Sequence, residues 1–199
     1  MSISRRGVLR AGISGLAAGI PLSRAYAQPQ MSSAAILSRA REFIAAHAER
    51  IAHHDYVALV DYGAPSWKAR FHLANLTEGF VDSFLVAHGR GSDPGHTGWL
   101  KTFSNKVGSK ASSRGAYVTS QHYHGKYGQS IRLEGLDSEN SNAERRAIVI
   151  HPAWYVGDDM VKKYGKLGRS EGCFALSKND IGAALTWLGP GRLLYAAKF

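Results

Sequence analysis

Cysteine is almost absent from this 199-residue sequence: Cys173 is the only one. A single thiol excludes an internal disulfide, so its sulfur is either inert filler or an atom kept for its reactivity. Acidic residues are also scarce, 15 against 25 lysines and arginines, for a formal charge of +10. No block of basic residues interleaved with aromatics occurs, so nucleic acid is not an expected partner; the excess suits solubility and carboxylate-rich or polyanionic partners. Internal repeats are lacking, and the only linker-like stretch is Gln28 to Ser33. No apolar run is long enough to span a bilayer. What remains, 44% hydrophobic and 20% charged residues, is the composition of one globular domain with or without a processed leader.

The amino terminus reads as such a leader. Ser4-Arg5-Arg6-Gly7-Val8-Leu9-Arg10 is a basic head, Ala11 to Leu22 an apolar run, and Ala25-Tyr26-Ala27 a small-residue cleavage site. The pattern is similar to a twin-arginine export signal, with Val8 where such signals usually carry Phe. Residues 1–27 are therefore expected to be a cleaved signal, 28–55 a linker and helix, and 56–199 the working domain. Cleavage would remove Arg5, Arg6, Arg10 and Arg24 and no acid, leaving a chain of formal charge +6 in the periplasm, with no transmembrane segment.

Export sharpens the question about Cys173, because oxidising compartments usually pair their cysteines. Its surroundings, Leu167-Gly168-Arg169-Ser170-Glu171-Gly172-Cys173, read as a tight loop bracketed by glycines. Gly172 permits close approach of a substrate backbone, and Arg169 favours a thiolate. A thiolate nucleophile needs a base, and all nine histidines precede Cys173. That order excludes papain-like peptidases, whose cysteine comes first. His151 is the best candidate base. It ends Arg146-Ala147-Ile148-Val149-Ile150, a short β-branched strand that delivers the imidazole to a sheet edge, and the intervening residues suffice for a loop returning to the same place.

A histidine at a strand end, a loop, and then Ser-x-Gly-Cys resembles the signature of the YkuD-type L,D-transpeptidases, more closely their divergent murein L,D-transpeptidase catalytic domain branch. The matching stretches are Val86 to Ser92 (VAHGRGS), Arg114 to Tyr117, His124 to Gly128 (HGKYG), Arg132 to Leu136, Ala147 to His151 and Gly168 to Cys173. The resemblance implies a cysteine transpeptidase whose partners are donor and acceptor stem peptides of peptidoglycan, with no cofactor and no metal. Cys173 would be the nucleophile, His151 its base, the Pro152 carbonyl the group orienting the imidazole, and the amides around Gly172 and Cys173 the oxyanion site. Arg169, Ser170, His88 and Tyr123 are the expected substrate-binding residues. The family's default product is a 3→3 cross-link; a 1→3 link from L-Ala is the other option. Three departures bear on substrate choice: Pro152 in place of glycine, Glu171 in place of His or Arg, and Phe174-Ala175 without the arginine that usually follows the cysteine.

Three rival readings stand beside this one. The same dyad resolved by water would make an L,D-carboxypeptidase. His122-x-His124 with His151 has the makings of a zinc peptidase site. A non-catalytic wall-binding module would need no thiol at all. Gly89-Arg90-Gly91 is not a phosphate loop, since no Lys-Ser/Thr follows.

The expected scaffold is mainly β with peripheral helices, a β-sandwich or barrel-like sheet. Apolar periodicity predicts a helix over 33–54 behind Ser32 and Ser33, and another around Ile181 to Leu188 capped by Ser177. Strands are predicted at 56–62, 70–76, 80–88, 116–119, 130–136, 147–151 and 192–198.

Overall fold

Ser32 opens the first helix by accepting the Ala35 amide on Oγ at 3.2 Å, satisfying one of the donors a helix start leaves free. This computed structural model describes residues 30–199; the expected export signal lies outside the described residues. Helix α1, Ser33–His47, buries Ile36, Ala40 and Ile44, one per turn, against the sheet. It ends sooner than its periodicity predicts. A 3-10 turn at Ala48–Arg50 follows, and the amides of Ala52 and His53 then donate to the Gly191 carbonyl instead of continuing the helix.

Eight strands form one sheet in the order β3-β2-β1-β8-β4-β5-β6-β7. They are β1 Tyr56–Asp61, β2 Phe71–Asn75, β3 Phe80–Phe84, β4 Gly115–Gly125, β5 Gly128–Gly135, β6 Val149–Pro152, β7 Phe174–Leu176 and β8 Leu193–Ala197. Strand β1 runs antiparallel to β2 and parallel to β8. Its continuous apolar stretch reflects cover on both faces: Ala58 and Val60 enter the main core, while Val57 and Leu59 pack under α1. Helix α2, Asp158–Tyr164, lies in the connection from β6 to β7, and α3, Ile181–Trp187, sends Ile181, Ala184 and Leu185 into the main core. Ser177 Oγ accepts the amides of Asn179 and Asp180 just ahead of α3.

The predicted strand 80–88 is in fact divided. Phe80–Phe84 pairs with β2, whereas beyond it the Ala87 amide donates to the Ala175 carbonyl of β7 at 3.0 Å. One chain segment thus pairs at both ends of the strand order, and the sheet nearly closes into a barrel. Buried Arg70 fixes the changeover, since its guanidinium donates twice to the Val86 carbonyl. Strand β4 also runs further than the predicted 116–119, continuing past an irregularity between Thr119 and His122 into a hairpin that Lys126 and Tyr127 close. The fold is mostly β with three α-helices. Among the described residues no helix is long and apolar enough to cross a membrane.

Candidate active site

Strands β6 and β7 are parallel, with Ile150 opposite Phe174 and His151 opposite Ala175. Ile150, Phe174 and Leu176 enter the main core. Because side chains alternate along a strand, His151 and Ala175 point to the other face, together with Val149 and, immediately before β7, Cys173. The pleat therefore presents the imidazole and the thiol from adjacent strands on one face, offset by one pleat repeat.

His151 is only 2% exposed. Its Nδ1 lies 2.8 Å from the Pro152 carbonyl, which can only accept, so Nδ1 carries the hydrogen and Nε2 is left bare to take a proton. Burial lowers its pKa, the Pro152 bond opposes that, and Lys126 adds to the lowering. The Tyr127 ring, at the tip of the β4–β5 hairpin, stacks on the imidazole at 4.5 Å.

Cys173 is half-buried, and its Sγ lies 3.5 Å from the Ala147 carbonyl. Ala147 has φ of +52°, a left-handed conformation uncommon for alanine and typical of functional sites. Burial pushes the thiol pKa up; the Val149 amide, Arg146 and the cysteine's own amide pull it down, while Glu171 adds to the rise. Gly172 adopts φ of +121°, and a β-carbon there would sit 2.7 Å from the Ala111 carbonyl oxygen and 3.0 Å from Arg146 Nη2. Only glycine lets the loop pass so close to its neighbours.

The loop is fastened from both sides. Ser170 Oγ donates to the Cys173 carbonyl at 2.7 Å and accepts the Gly172 amide at 3.1 Å. The Ser170 amide donates to the His88 carbonyl, and the Arg90 amide to the Ser170 carbonyl. A thiol in a hydrogen-bonded loop, on the same sheet face as a singly protonated imidazole, is the equipment of covalent acyl transfer.

Residues 27–197 match the model of the L,D-transpeptidase catalytic domain. The chain belongs to that family. No curated protein matches it. Among solved structures it is similar to an L,D-transpeptidase from Mycobacterium smegmatis at 12% identity and TM-score 0.45, with 72% of this chain and 58% of that one covered. The faropenem-derived adduct of L,D-transpeptidase 3 from Mycobacterium tuberculosis gives 12% and 0.45, covering 72% and 60%. A helical cell shape determining protein from Campylobacter jejuni gives 12% and 0.47, covering 84% and 55%. The chain thus spans under two thirds of the length of these structures.

Within this L,D-transpeptidase domain several expected binding residues are redistributed. His88 does not face a cleft: it is 1% exposed, with Nδ1 accepting from Arg70 at 2.8 Å and Nε2 facing Asp93 at 3.4 Å. Burial, with Arg70 adding, lowers its pKa to about 3, so it is a neutral link in a buried network. Ser170 is likewise buried, and both polar functions of its hydroxyl are taken by the loop backbone. Arg169 donates to the Asp93 and Pro94 carbonyls and does not pair with Glu171. Glu171 instead lies between Arg90 at 2.5 Å and Lys110 at 3.2 Å. The Gly172 amide, expected at the oxyanion site, is engaged by Ser170, which leaves the Cys173 and Val149 amides at the sulfur.

Tyr123 stands opposite Ser130, in the cross-sheet row that leads to His151, and Arg132 stacks on its ring at 4.5 Å. His122 and His124 alternate with Tyr123 and so leave that face, away from His151. Among the described residues no three His, Cys, Asp or Glu side chains are arranged to hold a metal ion.

Two residues of the site escaped the sequence reading. Arg146 is half-buried, donates to the Ser104 and Ala111 carbonyls and the Ser113 hydroxyl, and brings its charge to Cys173 from the segment before β6. It supplies a guanidinium where Phe174-Ala175 provides none. Tyr155, packed against Gly168, is raised in pKa by burial and then by the charges of Cys173, Tyr127 and Glu171, so its hydroxyl shares their field. Neither residue belongs to a spacing pattern that would single it out.

Proposed function

We propose that this domain is a peptidoglycan L,D-transpeptidase working through a cysteine thioester. The observation that carries the reading is the presentation of Cys173 and His151 on one face of the parallel β6–β7 pair, with the imidazole proton held on Nδ1 by Pro152. His151 Nε2 takes the thiol proton as Sγ attacks the carbonyl at the L-centre of diaminopimelate in the donor stem. The oxyanion of the tetrahedral intermediate is met by the amides at the sulfur, among them that of Cys173. When the intermediate collapses, the peptide bond breaks, and His151 returns its proton to the departing D-Ala amine. An acceptor amine then attacks the thioester, gives its proton to His151, and the thiol is regenerated as the cross-link forms.

The basic groups Lys126 and Arg146, which act on Cys173, and Arg90 and Lys110, which meet Glu171 in the same loop, suit a donor rich in carboxylates. The product is a 3→3 link by family default or a 1→3 link from L-Ala, formed after export to the periplasm through the twin-arginine-like leader. Mass spectrometry after incubation with defined tetrapeptide muropeptides tests the reading. Cross-linked dimers support it, with fragmentation identifying the joined carbonyl. Tripeptide monomers alone would mean resolution by water and make the protein an L,D-carboxypeptidase.

A further inference from the structure

One sizeable cavity of the molecule does not include the sulfur. A groove of about 770 Å³ opens at the carboxyl ends of β6 and β7, lined by Ala153 and Trp154 just past β6, by Ser177 to Asp180 just past β7, and by Trp67. Parallel strands commonly place ligands beyond their carboxyl ends, and this volume is that of a small-ligand site. Trp154 is 74% exposed, the most exposed of the large apolar side chains among the described residues. Its indole is not loose, because it meets the Tyr155 ring edge-to-face at 5.8 Å. An aromatic face held in place beside polar groups is a platform for a ligand with an apolar face and polar edges.

We infer that this groove binds a sugar ring of the glycan strand from which the donor stem peptide hangs. The inference rests on the transpeptidase reading above and deepens it by assigning the part of the substrate that the thiol never touches. Two observations carry it. The first is charge. Lys68, Lys162 and Lys178 are balanced in the groove by Asp158, Asp159 and Asp180. By contrast, Lys126 and Arg146 both act on Cys173, and Arg90 and Lys110 converge on Glu171 two residues before it. An anionic stem peptide matches the basic end, and an uncharged, hydroxyl- and amide-bearing sugar matches the balanced one. Its axial C–H edges suit the electron-rich face of Trp154, and its hydroxyl and acetamido groups suit Asn179, Ser177 and the carboxylates.

The second observation is reach. Cys173 immediately precedes β7 and Ser177 immediately follows it, so four residues of extended chain, about 13 Å, separate the Cys173 backbone from that of Ser177 at the groove. An extended stem joined to the thiol through its third residue spans about 10 Å before it meets the glycan. Trp154 meets the Tyr155 ring, and Tyr155 shares the field of Cys173, so the platform adjoins the sulfur's surroundings, and a sugar held there converts remote binding into orientation of the scissile carbonyl.

Trp154→Ala tests this with paired substrates: a tetrapeptide bearing its disaccharide, and the same tetrapeptide without sugar. Trp154 is exposed, so the variant should melt with the wild type. The expected result is a fall of about fivefold to tenfold in kcat/KM on the disaccharide-linked substrate, the scale of one aromatic stack, and no change on the free peptide. An N-acetylglucosamine oligomer should also quench wild-type tryptophan fluorescence in a saturable way, and more weakly in the variant, where Trp67 remains in the groove. Equal losses on both peptides would make the groove a peptide subsite, and no loss on either would leave it without a role in binding; both overturn the inference. If folded wild-type protein acts on neither peptide, the transpeptidase reading fails, and the oligomer titration still decides the groove: no saturable quench, or one undiminished in Trp154→Ala, overturns it.

Discussion

The guanidinium of Arg146 lies against Gly172, so close that a β-carbon on that glycine would come within 3.0 Å of Nη2. Neutral oxygens hold it there, from Ser104, Ala111 and Ser113, and no carboxylate pairs with it among the described residues. Burial lowers its pKa, and Tyr117 and then Cys173 act in the opposite sense. A partly buried cation lacking a carboxylate partner beside a nucleophilic sulfur stabilises the thiolate.

Arg146→Gln should therefore raise the pKa of Cys173. The pH dependence of iodoacetamide alkylation reads this directly. A midpoint moved to higher pH is expected, with Arg146→Lys moved less; identical profiles would mean that the arginine only braces the loop.

Gly172→Ala should harm the fold and the chemistry together. The added carbon meets the Ala111 carbonyl oxygen at 2.7 Å, and the residue sits at φ of +121°. A loss of about 1–3 kcal/mol is expected from strain of this kind, visible as a lower Tm, together with slower alkylation of the displaced thiol. An unchanged melt would show that the loop has room to move.

The buried His88 should make the protein acid-sensitive. Its folded pKa is about 3, held down by burial and Arg70, against roughly 6.5 in an unfolded chain. Between these values the unfolded chain binds a proton that the native state refuses, so stability contributed by neutral His88 is present above about pH 6.5 and is lost as pH falls toward 3. In His88→Gln, whose amide can accept from Arg70 and donate to Asp93, the drop in Tm between pH 7 and pH 4 should be smaller. The same slope in both proteins would assign acid sensitivity elsewhere.

Much of this was legible beforehand because it rests on local patterns. The β-branched run ending at His151 and the glycine-bracketed loop at Cys173 announced a strand end and a tight turn, and the apolar run of β1 and the apolar spacing of α1 announced the core. What escaped depends on partners distant in sequence. The helix predicted to residue 54 stops at His47 because Gly191 captures the Ala52 and His53 amides. The strand predicted over 80–88 changes partner because Arg70 grips Val86. His88 reads as a cleft residue from its glycine neighbours, yet Arg70 and Asp93 claim both of its nitrogens. Arg146 is one arginine of a pair in an unremarkable polar stretch until the fold brings Ala111 and Gly172 to it.

The most direct test of the account is the Cys173→Ala variant incubated with tetrapeptide muropeptides and followed by mass spectrometry, with its melt recorded alongside. Wild-type protein should show a transient covalent adduct on Cys173 and a cross-linked dimer, and the variant neither, at an unchanged Tm. Dimers formed by the folded variant would contradict it.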